Sequence, residues 1–84
     1  MITTTPDESG RAWILTIICT DRLGLLYSIS QVLTRYAVNL QTAKIATLGE
    51  RAEDVFLINS PLLRDDEQLL KLESDLVDAV SVPA

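Results

Sequence analysis

The feature that most constrains this chain is the junction Asp21-Arg22-Leu23-Gly24-Leu25-Leu26, which separates a β-like run from a helical one. Before it, Trp13-Ile14-Leu15-Thr16-Ile17-Ile18-Cys19 has the near-continuous apolar character of a buried strand. After it, Leu25, Ile29, Val32 and Tyr36 recur at helical spacing and share one face. The first turn of a helix presents N–H groups with no intrahelical partner at the positive end of the helix dipole, so an anionic group can bind there. Gly24 lets a ligand come close to that backbone. The same residues have a purely structural reading, in which Asp21 caps the helix and Gly24 permits a tight turn.

A chain of 84 residues holds one domain with a modest core, and so little buried surface calls for a partner. The net charge of −5 and the absence of histidine speak against nucleic-acid binding and remove imidazole-based catalysis or metal binding. No catalytic or metal-ligating constellation is expected. The one cysteine, Cys19, lies in the apolar strand with nothing to pair with, which reads as core and suits a reducing cytoplasm. No run is long enough to span a membrane, and Met1 to Gly10 lacks the apolar segment of a signal peptide. A soluble cytoplasmic domain is the expectation.

Taken in order, Ile2 to Thr5 is either a short strand or a disordered leader, and Pro6-Asp7-Glu8-Ser9-Gly10 is turn chemistry. The strand over about Arg11 to Thr20 turns Trp13, Leu15, Ile17 and Cys19 to one side, predicted to face helices. A helix is predicted from about Leu23 to Ala37. A strand from Asn39 to Leu48 follows, in which Leu40 and Ile45 differ in parity, so strict alternation cannot bury both and a bulge or twist near Thr42 would reconcile them. Gly49-Glu50 turns the chain into a strand from Arg51 to Asn59, with Asp54, Phe56 and Ile58 on one face and Val55 and Leu57 on the other. After Pro61, Asp65 and Gln68 have the spacing of a capping box opening a last helix, with Leu69, Leu72, Leu76 and Ala79 on its apolar face. Residues 81–84 form a tail too short for a strong strand.

Strand, helix, strand, strand, helix is the split βαβ plan: an α+β, ferredoxin-like βαββα core over residues 11–80, with two helices on one face of an antiparallel sheet. Such folds normally end with a strand beside the first, and that strand is missing here. The segment Ile2 to Thr5, folded back through residues 6–10, is predicted to fill the slot; Val80 to Val82 is the competing occupant. On the open face of the sheet, Ile14, Ile18, Val55 and Leu57 should form an apolar interface that a second domain or copy covers, or a neighbour should extend the sheet at its edge.

The strand leading into Asp21-Arg22-Leu23-Gly24-Leu25-Leu26, the helix after it and Val38-Asn39-Leu40 resemble an ACT domain, a small regulatory module that binds amino acids. The run from Gln41 through Leu48-Gly49-Glu50-Arg51 to Val55-Phe56 resembles more particularly the C-terminal ACT domain of the protein-PII uridylyltransferase/uridylyl-removing enzymes. The resemblance covers nearly the whole chain, from about Pro6 to Val80; Leu23 departs from it, standing where many ACT domains have proline. It implies a regulatory piece of a nitrogen-regulating enzyme whose nucleotidyltransferase and hydrolase domains, with their Mg2+, lie elsewhere. Glutamine is the implied signal, the PII protein the implied partner of the parent enzyme, and a second ACT domain the implied neighbour. Carried over residue by residue, the ligand site is Asp21, Arg22, Leu23, Gly24, Leu25 and Leu26, with Asn39 and Gln41 across from them. The alternative is a ligand-free association or dimerisation module.

Overall fold

The computed structural model describes residues 1–81. Strands β1 (Ile2–Pro6) and β2 (Trp13–Thr20) lead into helix α1 (Leu25–Arg35), strands β3 (Asn39–Leu48) and β4 (Arg51–Asn59), a 3-10 turn (Pro61–Arg64) and helix α2 (Asp66–Ser81). The four strands form one sheet in the order β1-β2-β4-β3, with every neighbouring pair antiparallel. This is the predicted split βαβ architecture. β1 pairs along its whole length with β2, from Ile2 opposite Ile17 to Pro6 opposite Trp13, and so occupies the place of the missing last strand. The competing segment is excluded at Val80, which belongs to α2; Val82 and the rest of the predicted tail after Ser81 lie outside the described residues.

The period-two patterns build the core. Leu15 and Ile17 from β2 and Phe56 and Ile58 from β4 are buried against Leu25, Ile29, Val32 and Leu33 of α1 and Leu72 and Leu76 of α2. Leu63, in the 3-10 turn, closes the same core at one end. Trp13 and Cys19 face this layer at its margins, half-buried. The register of β3 slips between Leu40 and Thr42, as the parity of its apolar residues requires, leaving Gln41 as the unpaired residue of the bulge.

Both helices differ from expectation at their ends for local reasons. α1 starts at Leu25 because Gly24, at φ 79°, is left-handed, and it stops at Arg35 because Ala37 is left-handed too, at φ 53°. The Val38 N–H donates to the Leu33 carbonyl (3.1 Å) and the Ala37 N–H to that of Thr34 (3.1 Å), a Schellman closure of the helix. At α2, Asp65 does cap: its Oδ1 accepts from the Glu67 N–H at 3.0 Å. The reciprocal half of a capping box is superfluous, since the Asp65 N–H already donates to the Leu62 carbonyl (3.3 Å).

Ile14, Ile18, Val55 and Leu57 do share the open face, but they do not form an unbroken apolar patch. Ile14 pairs with Leu57, whereas Val55 lies between Thr16 and Lys44 and Ile18 lies opposite Glu53, itself ion-paired with Arg51 at 2.9 Å. The larger exposed apolar surface is on β3. All ten of its residues are exposed, with Leu40, Ile45 and Leu48 each about half accessible, because β3 is the sheet edge and neither helix lies over it.

Candidate functional site

The junction between β2 and α1 is held at three points. The Asp21 N–H donates to the Glu50 carbonyl (2.7 Å), tying it to the turn between β3 and β4. The Leu25 N–H donates to the Arg22 carbonyl at 3.2 Å, closing the turn ahead of the helix. The Arg22 guanidinium then crosses to α2, donating to the Ala79 carbonyl (2.7 Å) as well as to Ser28 Oγ (3.3 Å) and the Leu23 carbonyl (3.3 Å). α2 carries no basic residue in its last turn, so Arg22 supplies the cation that its negative end attracts.

These bonds sort the sequence-predicted residues. Asp21 does not cap α1: the cap position is Gly24, which has no side-chain oxygen, and the Asp21 carboxylate stays exposed beside the turn. Arg22 is committed to α2 rather than offered to a ligand. Leu25 is buried in the core and its N–H is taken, whereas Leu23 is fully exposed and Leu26 about half so. The N–H groups of Leu23, Gly24 and Leu26 donate to no backbone acceptor among the described residues. What remains at the junction is a first helical turn with unpaired N–H donors, one exposed carboxylate and two exposed leucines.

Asn39 and Gln41 do not lie across from this turn. The chain leaves β2 at Asp21, returns along α1 and begins β3 at the opposite end of the sheet, where Asn39 pairs with Asn59. An eight-residue strand separates the two ends, roughly 25 Å at about 3.3 Å per residue. The neighbours that the fold does bring to the junction are Thr20, Leu48, Glu50 and Arg51, which with Ile18 and Cys19 line a shallow depression. Their signal in the sequence was the β3–β4 hairpin: its turn must fall at the end of the sheet where β2 stops.

Beneath the junction lies a residue that the motif reading passed over. Asp54 is on the helix-facing side of β4, 1% exposed, and its Oδ1 has no hydrogen-bond partner. Burial pushes its carboxyl above the ordinary range; the Ala46 amide opposes the shift and the charge of Asp21 adds to it. Burial likewise raises the Cys19 thiol, with Asp54 contributing, so Cys19 has the environment of an inert core thiol. No group of three or more metal-ligating side chains occurs among the described residues.

The architecture defines a small ferredoxin-like α+β domain whose β2–α1 junction lies at one end of its sheet. A solved structure of an unknown protein from Galdieria sulphuraria has this fold, with a TM-score of 0.71 at 20% identity over 84% of this chain and 39% of that one. Sequence comparison is more particular: the chain is a relative of part of the bifunctional uridylyltransferase/uridylyl-removing enzyme. It is 50% identical over 78 residues to that of Ralstonia nicotianae, 46% over 78 to that of Cupriavidus metallidurans and 46% over 77 to that of Aromatoleum aromaticum. Each match takes in 92% of this chain but 9% of the relative, so the chain corresponds to one domain-sized piece of such an enzyme. No protein-family model matches it.

Proposed function

We propose that this chain is a regulatory ACT-type domain from the C-terminal part of a PII uridylyltransferase/uridylyl-removing enzyme, and that glutamine is its ligand. The observation that carries the reading is the junction itself, where Asp21, Leu23, Gly24 and Leu26 are exposed and the N–H groups of the last three donate to no backbone acceptor among the described residues. An amino acid is a zwitterion, and this is the complementary pair of charges. The α-carboxylate lies against the N–H groups at the start of α1, and the α-ammonium lies against Asp21. Asn39 and Gln41 are amide-reading side chains at the far end of the sheet, so they serve a ligand only when a sister domain presents its own β3 to this junction. Uridylyl transfer to the PII protein, uridylyl removal and the Mg2+ they use belong to other parts of the enzyme. For glutamine to control them, it must bind two arrangements of the domains with different affinity.

Calorimetric titration of glutamine into the tandem pair of ACT domains tests this reading. Saturable heat that weakens by about tenfold in Asp21→Ala, the size expected for a charge-assisted contact, supports it; absence of heat in the tandem pair sinks it. The second reading, a ligand-free association module, is favoured by a specific observation: the fully exposed β3 edge. It predicts that the tandem pair associates equally well with and without glutamine.

A further inference from the structure

We propose a second binding site, for a multivalent oxyanion with a flat organic part, in the cleft at the end of the sheet remote from the β2–α1 junction. The loop after β1 and the 3-10 turn after β4 close on this cleft, which is lined by Arg11, Trp13, Asn59, Ser60, Pro61 and Arg64 and is more enclosed than the depression beside Asp21.

Charge allocation in the molecule points there. The chain is acidic, with seven cationic side chains. Arg35, Arg51 and Lys71 are ion-paired and Arg22 is bonded to α2, which leaves Arg11, Lys44 and Arg64 without an anionic partner among the described residues. Two of these three line the same cleft. Two of the acids near them in sequence are bonded elsewhere, Asp7 Oδ1 accepting from Ser9 Oγ (2.7 Å) and the Ala12 N–H (3.3 Å) and Asp65 Oδ1 from the Glu67 N–H, while the exposed Glu8 and Asp66 form no ion pair with either arginine among the described residues. Two guanidinium groups facing one concavity repel each other until an anion lies between them, and their planar forks suit phosphate or carboxylate oxygens.

The walls are firm. Ser60 is buried, with its hydroxyl donating to the Tyr36 carbonyl (2.6 Å) and accepting from the Leu62 N–H (3.2 Å). Trp13, anchored against the core on one side, gives the cleft an aromatic wall on which a ring can stack, and Asn59 adds an amide.

Trp13 is the single tryptophan of the chain and lines this cleft, so its fluorescence follows binding there, with the melting curve as the control for changes in the core it also touches. The test is titration of the full chain at constant ionic strength with pyrophosphate, citrate, adenosine monophosphate and adenosine. The expected result is a saturable fluorescence change with the anions, tightest for adenosine monophosphate, that weakens at least tenfold in Arg11→Ala and in Arg64→Ala. Arg→Lys at either position restores part of it. Tighter binding of pyrophosphate or citrate than of adenosine monophosphate overturns the flat organic part. A response that matches sodium chloride, or persists unchanged in the Arg11→Ala/Arg64→Ala double variant with its melting curve intact, overturns the site. The cleft is about a strand's length from Asp21, so neither outcome bears on the glutamine reading.

Discussion

Asp54 is the residue at which local pattern and tertiary environment disagree most. It occupies a core position between Ala52 and Phe56 on the inward face of β4, and its Oδ1 has no protein donor. Burial disfavours the ionised carboxylate, so Asp54→Asn, which removes the charge at nearly constant shape, is expected to stabilise the domain at pH 7 by about 1 kcal/mol. The pH dependence has a definite sign. Because burial raises the folded-state pKa above the ordinary 3.8, the native state takes up this proton first as the pH falls. The stability tied to the neutral acid is complete below 3.8 and is lost as the pH rises through the folded-state value. Urea midpoints should therefore separate the variant from the wild type most at pH 7 and converge in acid; a variant weaker at pH 7 would contradict this account. Asp7 has the opposite sign. The Ser9 hydroxyl holds its carboxyl below 3.8, so its contribution is present above that value and disappears as the pH falls through the lower folded-state one.

At the scale of elements, the helix ends carry the clearest expectations. The Schellman closure of α1 places Ala37 at φ 53°, in the position usually taken by glycine. Ala37→Gly removes the Cβ clash of a left-handed residue and should raise stability by about 1 kcal/mol, read from the denaturation midpoint, against the general cost of added glycine freedom. β1 makes a second case. It satisfies the edge of β2, packs Ile2 against the core and bonds Thr4 Oγ1 to Glu73 at 3.0 Å. Deleting residues 1–6 should lower the melting temperature and leave β2 an unpaired edge that drives concentration-dependent association, measurable by light scattering. Both β1 and the β3 bulge were among the solutions legible in the sequence, because a missing last strand and a parity conflict each leave few ways out. The left-handed Ala37 was not, because alanine favours a helix and only backbone torsion reveals the stop; Gly24 was legible as a turn residue but not as the cap that moves the start of α1 to Leu25.

The whole molecule explains why the order of elements was legible in the sequence while the spatial neighbours of the candidate site were not. A strand–helix–strand crossover returns the chain to the end where it began, so residues opening α1 and residues opening β3 are separated by the length of the sheet. Asp21 and Asn39 are close in sequence and remote in space for that reason alone, and the turn at Gly49-Glu50 is the true neighbour. The same topology leaves β3 outside the cover of both helices, with Leu40 and Ile45 brought to one side by the bulge and still half exposed. An edge strand with free backbone groups and apolar side chains is a template for antiparallel pairing with another copy or a sister domain. Ile45 is half exposed on the edge strand opposite Asp54, so a cation there keeps access to solvent and gains a carboxylate neighbour in the isolated chain, whereas edge pairing crowds it. Ile45→Lys should leave the melting temperature of the dilute chain within about 1 kcal/mol of unchanged stability, while lowering its association in sedimentation velocity at high concentration by tenfold or more. Equal association of variant and wild type would place the contact elsewhere, and the open face bearing Ile14 and Leu57 would be the next surface to charge.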